Sequence, residues 1–333
     1  PHEVTFDASS SRDPEGAVAV YEWAFGDGAT GSGMQTTHLY PEAGTYVVRL
    51  TVRDENGRKD IAEQSILVRA STNYAIILGL SAYYYAPCLY FVDDDALAIR
   101  QALISSPGWD AENIVFLLNS DATSWNFASA LDDLDSANEN DLLFLFFSGH
   151  GGHVPDDAVG EEADGFDEVL YLYDSSWISD DVLERYLAQV PMRRIVVMVD
   201  SCFSGGQLGD GVALPAAADW AAEWLTDLSR IGRRGPKDLD ALTKSIVAVM
   251  SSRETEYSWE SSELEHGVFS KALLEALDGA GDEMGDRDGF VSAEECYVYA
   301  EVRVRELMAS IGEEQHPQLL DLHAGELEFY KLP

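Results

Sequence analysis

Positive charge is what this sequence has least of. Its 333 residues carry 21 Lys+Arg against 60 Asp+Glu, a formal charge of −39. A face that tracks phosphates needs a basic patch, so the composition argues against nucleic acid and anionic membranes as partners. Cysteine is scarce too. Cys88, Cys202 and Cys296 are too few for a disulfide scaffold, and an odd number leaves at least one thiol free. In an oxidising compartment Cys88 and Cys296 are available to pair. No apolar run approaches the roughly 20 residues that span a bilayer. With Pro1 first and no signal-like segment, the sequence reads as a mature or trimmed fragment. Low lysine with abundant acid suits an extracellular or high-salt setting. What remains is an ordinary globular composition, 46% hydrophobic, long enough for two domains.

Residues 1–69 alternate short β-type runs with turn clusters: "VTFDASSS", "AVYEWAFGDG", "THLYPEAGTYVVRLTVRDENG" and "AEQSILV". Tyr46, Val48, Leu50 and Val52 recur with period 2 and run into the turn signal Asn56-Gly57, which argues for an all-β sandwich. Trp23, Phe25, Gly26, Asp27, Gly28, Tyr40, Gly44, Tyr46 and Asp54 lie in a pattern that resembles a PKD domain. That family is an immunoglobulin-like sandwich used as a spacer or adhesion module in secreted proteins, and the chain is expected to start after its first strand. Residues 70–73 read as a linker.

From residue 74 the pattern changes. "YAIILGL", "NIVFLL", "DLLFLFFSG", "RIVVMVDSC", "SIVAVMSS" and "ELEFYKL" are apolar runs with helical stretches between them. They imply an α/β fold over 74–333 with a mostly parallel sheet flanked by helices. Chemistry in such sheets gathers beyond the C-terminal strand ends. Two ends stand out, because "LFLFFSGHGG" delivers His150 into a glycine turn and "IVVMVDSCFSGG" delivers Cys202 into another. If the strands are neighbours, an imidazole meets a thiol that it can deprotonate. The glycines let backbone N–H groups approach a reacting carbonyl.

This pairing resembles the caspase-like clan, and within it the metacaspases and their prokaryotic relatives. "SGHGG", "DSCFSGG", "DGFDEVLYLYD", "GVFSKALLEAL" and "QHPQL" carry the resemblance across about 73–331, and a spacing of roughly 50 residues from His to Cys is the caspase one. The resemblance implies His150 as general base and acid, Cys202 as nucleophile, and the backbone N–H groups of Gly151 and Cys202 as oxyanion hole. Phe203 departs from the histidine that metacaspases commonly place after the nucleophile. Asp200 stands where caspases have Gln, Glu260 where "TEYSWE" would have a caspase Arg, and Asp95 matches a metacaspase pocket aspartate. Carboxylates in place of guanidiniums imply a pocket for Arg, then Lys. Asp95 also lies in a run of acids that complements a helix N-terminus.

The densest basic stretch, "SRIGRRGPKD" at 229–238, falls inside a segment of about 207–245. There this clan carries an intersubunit linker cut during maturation. Arg230, Arg233 and Arg234 are the expected self-cleavage sites, with Lys237 and Lys244 behind them. Many metacaspases require calcium, and the resemblance points to Asp174, Asp180, Asp181 and Asp210 as its ligands. Asp180 and Asp181 also suit the first helical turn after Ser179. A second calcium candidate is "MGDRDGFVSAEE", an EF-hand-like loop with Asp286, Asp288, Gly289 and Glu295 in place but Met284 at the first ligand position; Ser292 and Glu295 also make a capping box.

Together these readings predict a secreted or cell-surface cysteine endopeptidase, a monomer synthesised as a zymogen. Calcium is its possible activator, and the chemistry itself requires no cofactor. A clostripain- or gingipain-like arginine peptidase and a non-catalytic adhesion or scaffold protein are the alternatives.

Overall fold

The computed structural model describes residues 2–14, 16–84, 86–155, 166–202, 244–253, 256–309 and 312–333. It divides into two compact units, 1–71 and 72–333.

The first unit is a sandwich of two small antiparallel sheets. One pairs β1 (His2–Asp7) with β4 (Gln35–Tyr40). The other has the order β3 (Thr30–Ser32), β2 (Val18–Ala24), β5 (Gly44–Asp54), β6 (Lys59–Val68). Phe6, Trp23, Phe25, Tyr40, Val48 and Val68 are buried between them. The two polar atoms brought inside by the aromatics are satisfied: Trp23 Nε1 donates to Gly33 O at 2.9 Å and Tyr40 Oη to Phe25 O at 2.8 Å. At the Asn56-Gly57 turn, Gly57 takes φ 81° while Asp54 Oδ1 accepts the Asn56 and Arg58 amides. That geometry explains a glycine at this position.

The second unit is a three-layer α/β domain. In chain order its elements begin with β7 (Asn73–Gly79), α1 (Val92–Ser105), β8 (Ile114–Leu118), α2 (Ser124–Asp132), β9 (Leu142–Pro155) and β10 (Phe166–Tyr171). Next come β11 (Trp177–Ser179), α3 (Asp180–Gln189), β12 (Arg194–Cys202), β13 (Ser245–Met250), β14 (Glu260–Ser261) and β15 (His266–Gly267). The last are α4 (Val268–Glu275), α5 (Gly281–Met284), β16 (Phe290–Ser292), α6 (Ala293–Ala309), β17 (Gln318–Asp321) and β18 (Glu328–Lys331). The first half of β9 lies between β7 and β12, with β8 beyond β7 and β13 beyond β12, all parallel. The second half of β9 leaves this sheet and pairs antiparallel with β10, which pairs with β11.

The continuous apolar runs follow from burial on both faces. Along β9, Leu143, Leu145 and Phe147 pack on one side with Phe127 of α2 and Leu183 and Leu187 of α3. Leu142, Phe144 and Phe146 pack on the other with Ile99 and Leu103 of α1, Phe269 of α4 and Val304 of α6. The period-2 alternation thus serves two cores, one per face.

One expected strand is elsewhere. "ELEFYKL" does not join the main sheet; its β18 pairs with β16, and the edge beside β13 is taken antiparallel by β17 from "PQLLD". Phe329 stacks on Phe144 at 5.3 Å and its carbonyl accepts Trp109 Nε1, so this segment covers a face of the sheet rather than extending it.

Phe146 is completely buried. Phe146→Ala is expected to destabilise the second unit by about 3–5 kcal/mol, read from its urea transition, and to leave the transition of the β unit in place.

Candidate active site and specificity pocket

The β9/β12 ladder runs in register from Leu142 opposite Arg194 to His150 opposite Cys202. Its last pair therefore places the histidine and cysteine backbones side by side at the C-terminal strand ends. One residue further on, Gly151 pairs with Leu170 of β10 and Gly152 with Val169. Small residues are needed here: a side chain at Gly149 would collide with the Tyr83 hydroxyl and the Phe147 ring, and one at Gly152 would meet Tyr171 at 2.8 Å.

His150 is held by a loop that sequence reasoning overlooked. Its backbone N–H donates to Tyr83 Oη at 2.7 Å, the two rings lie 4.7 Å apart, and Nε2 sits 2.8 Å from Pro87 O. A carbonyl can only accept, so Nε2 carries the proton in the neutral ring and Nδ1 keeps the lone pair. Nδ1 is then the basic nitrogen, and the Pro87 carbonyl stabilises the imidazolium once Nδ1 is protonated. "AYYYAPC" has no motif from which these contacts could be read.

Beside this pair is a small pocket open to solvent, whose lining includes Asp95, Ser148, Asp200, Trp259, Glu260 and Gly267. The three acids come from three elements. Asp95 is in the first turn of α1, Asp200 is two residues before Cys202 on β12, and Glu260 is on β14. Both aspartates are buried. Asp200 Oδ1 accepts the Ser258 hydroxyl at 2.5 Å and Oδ2 accepts the amide and hydroxyl of Ser270 at 3.1 and 2.5 Å. Asp95 Oδ1 lies 2.6 Å from His266 Nδ1, and Oδ2 accepts the Gly267 amide at 3.0 Å.

Glycine at 267 is what lets the two aspartates share the space, since a Cβ there would stand 2.7 Å from Asp200 Oδ2 and 2.9 Å from Asp95 Oδ2. Burial pushes Asp95 up, the His266 bond pulls it down and the Asp200 charge pushes it up again, leaving it at about 7. Burial likewise raises Asp200, against the hydrogen bonds of Ser258 and Ser270. Glu260 has a second task. Its Oε1 accepts the amides of Tyr90 and Phe91, at 3.0 and 2.7 Å, and its Oε2 lies 3.1 Å from the Tyr90 amide. It thereby caps α1, whose own N-cap Phe91 supplies no side-chain bond. His266, Gly267, Ser258 and Ser270 went unnoticed in the sequence because their partners are distant along the chain.

Arg230, Arg233, Arg234, Lys237 and Asp210 lie outside the described residues, as does most of the 207–245 segment. Lys244 is described, and it does not suit a cleavage site. Its Nζ donates to the carbonyls of Leu187 and Val190 at 2.6 Å each, closing the end of α3, and burial depresses the amine to about 8.

Among the calcium candidates, burial would raise the Asp174 carboxyl, but hydrogen bonds from Ser176 and Ser124 outweigh it and hold it low. Asp180 and Asp181 occupy the first turn of α3, where the Ser179 hydroxyl accepts the Val182 amide as N-cap. Among the described residues Asp174, Asp180 and Asp181 do not form a group of three close ligand atoms. Two other groups do, Asp282 with Asp286 and Asp288, and Glu256 with Glu314 and His316. In the EF-hand-like loop it is therefore Asp282, not position 284, that supplies the third carboxylate. Glu295 there accepts the amides of Asp286 and Ser292, and Ser292 Oγ accepts the Glu295 amide, completing the capping box. Cys88 and Cys296 are both free. Cys296 is buried in the α6 core, where desolvation raises its thiol, and Cys88 is exposed, so they do not pair.

The PKD domain family matches residues 1–68 and the caspase domain family matches residues 72–324. Metacaspase-4 of Arabidopsis thaliana is 30% identical over 146 residues, 42% of this chain and 35% of that protein. Metacaspase-1 of Schizosaccharomyces pombe is 32% identical over 146 residues, 40% of this chain and 34% of that protein. The chain spans about a third of the length of the curated relatives it matches. A crystal structure of a Geobacter sulfurreducens protein superposes with a TM-score of 0.52 at 23% identity, covering 79% of this chain and 100% of that one. This last is a likeness of fold.

Asp95 gives the pocket a measurable signature. Its folded value near 7 lies above the ordinary 3.8, so between those values the native state holds a proton that the unfolded chain has lost. Stability therefore falls as pH rises through this window. Asp95→Asn removes the effect. It is expected to gain on the wild type by up to about 4 kcal/mol between pH 4 and pH 8, measured by denaturation at both pH values.

Proposed function

The chain belongs to the caspase domain family, with a PKD domain ahead of the peptidase unit, and on that premise we propose a cysteine endopeptidase that cuts after arginine and, less well, after lysine. The observation that supports the specificity is the pair of buried carboxylates, Asp95 and Asp200, in a pocket whose lining among the described residues includes no lysine or arginine. A guanidinium entering between them gains charge-assisted bonds and relieves two desolvated anions, whereas an acidic side chain adds a third negative charge. The planar fork of arginine can reach two carboxylates at once, which a lysine ammonium does less well.

The chemistry follows from the geometry of His150. With Nε2–H bound to the Pro87 carbonyl, Nδ1 takes the thiol proton of Cys202, and the thiolate attacks the carbonyl carbon of the substrate residue in the pocket. Negative charge on the carbonyl oxygen is met by the backbone N–H groups of Gly151 and Cys202. The imidazolium gives its proton to the leaving amine. His150 then accepts a proton from the water that hydrolyses the acyl-enzyme, and the free thiol returns.

In this reading the basic stretch at Arg230, Arg233 and Arg234 is the enzyme's own first substrate, and cutting it converts a zymogen. Calcium is the proposed activator, held by oxygen ligands of the type it favours. The PKD unit suits a secreted or cell-surface enzyme that acts as a monomer on proteins bearing arginine or lysine.

Intact-mass analysis of the wild type and Cys202→Ala, each with calcium or chelator, is the test. The wild type is expected to yield fragments ending at Arg230, Arg233 or Arg234, and Cys202→Ala to stay whole. Cys202→Ala is also expected to lose about 10³-fold or more in turnover of arginyl peptides. Cleavage after aspartate, or processing unchanged in Cys202→Ala, would sink the proposal. Binding of substrate without turnover by the wild type would favour a scaffold.

A further inference from the structure

His266 is joined to the pocket without being needed for the chemistry. It sits on β15 with its side chain 21% exposed, and its Nδ1 is 2.6 Å from Oδ1 of the fully buried Asp95. The groups bonded to the two aspartates differ in one respect. Asp200 is met by two hydroxyls and an amide, and the other Asp95 oxygen by the Gly267 amide. All of those are neutral donors. Of the described groups hydrogen-bonded to either carboxylate, the imidazole of His266 is the one that can carry a positive charge.

On its own hairpin, between β14 and β15, His266 is preceded by the exposed Glu263 and Glu265, and further charges come from the elements packed around it. From α1 come Asp95 itself, with Asp93 half-buried and Asp94 exposed in the same turn. From β12 comes Asp200, and from β14 Glu260, whose carboxylate is bonded to the Tyr90 and Phe91 amides. On α4, which follows His266 in the chain, Lys271 is paired with Glu275 at 3.9 Å. Across Gly267 the nearest oxygens of Asp95 and Asp200 face each other, so in the empty pocket their mutual repulsion favours a proton on one of them.

We propose that His266 is a positioning residue for specificity: by donating to Asp95 it holds that carboxylate charged and aimed into the pocket, and so sets the lowest pH at which a cationic side chain is accepted. The inference rests on the arginine reading of the pocket. Its proton balance is simple. Below neutrality Asp95 holds a proton, and an arriving guanidinium or amidinium displaces it to the buffer. The expected pH range is near 7, where burial and Asp200 hold Asp95 despite the His266 bond. Losing an opposite charge at this distance moves a carboxylate up by about one unit or more.

The experiment uses the full chain as wild type, His266→Ala and His266→Asn, with an arginyl aminomethylcoumarin peptide for kinetics and benzamidine for binding, from pH 5.5 to 9. In the wild type, KM and the benzamidine Kd are expected to rise about tenfold per pH unit below the midpoint. In His266→Ala the same rise begins about one pH unit higher, while kcat at saturation stays within about twofold. His266→Asn keeps a donor that cannot be charged and is expected to fall between the two.

Superimposable KM and Kd profiles for wild type and His266→Ala would overturn the proposal. So would an equal loss of kcat at every pH, which is what a structural staple gives. If His266→Ala does not fold, calorimetry of benzamidine binding to the wild type in two buffers decides, since absence of proton release near pH 7 also overturns it. Failure of the arginine reading looks different: neither arginyl hydrolysis nor benzamidine binding at any pH, which removes both.

Discussion

The register between β9 and β12 is the constraint on which the site depends. Nine successive pairs, from Leu142 and Arg194 to His150 and Cys202, lie side by side in parallel, and the same strands carry the alternation that feeds two separate cores. Because side chains alternate with period 2, a slip of one residue would turn Phe144 and Phe146 toward the wrong layer and move His150 off Cys202 together. The packing that fixes the sheet thus also fixes the proposed reacting pair. Asp200 is part of the same ladder, opposite Ser148, so the proposed nucleophile and the proposed specificity carboxylate are indexed by one set of backbone bonds.

The pocket works against that stability. Two aspartates are held away from water, both with carboxyls raised by burial, and among the described residues neither is bonded to a lysine or an arginine. Such groups oppose folding whenever they are ionised. They are tolerated because each oxygen has a donor, because Gly267 leaves the space clear, and because the apolar layers on either side are continuous. Under the proposed arginine specificity, a cation entering this space relieves both anions. On that proposal the pocket is complementary to a bound state rather than to the empty one, as in a site whose binding energy is directed to its ligand.

How much of this could be read in the chain depended on whether the signal was local. The two units, the parallel strands and the His150 and Cys202 turns are each written in fewer than about ten consecutive residues, with periodicity or glycine punctuation to mark them. Asp95 and Asp200 were legible only through resemblance. Nothing local separates Asp95 from Asp93 and Asp94, and only the helix start tells which of the three turns inward. Pro87 acts through a backbone carbonyl, Tyr83 through a hydroxyl, and His266 through a bond to a residue 171 positions away; none has a sequence signature. β18 was misassigned for a related reason. An apolar strand of four residues reads the same whether it extends a sheet or lies across its face, and only the stacking of Phe329 on Phe144 distinguishes the two.

The same reasoning bears on how a basic linker could serve as substrate for its own enzyme. β12 and β13 are parallel neighbours, so the chain that leaves Cys202 at the C-terminal edge must return to the opposite edge, where Lys244 is fastened to the end of α3. A strand of six residues is only about 20 Å long. From Lys244 back to Arg234 there are about ten residues, which at ~3.5 Å each reach about 35 Å, and the arm from Cys202 to Arg230 is longer still. For the proposed self-processing, this contour length is enough for any of the three arginines to span the distance. The fastening of Lys244 ensures that a cut upstream of it leaves β13 attached to the sheet.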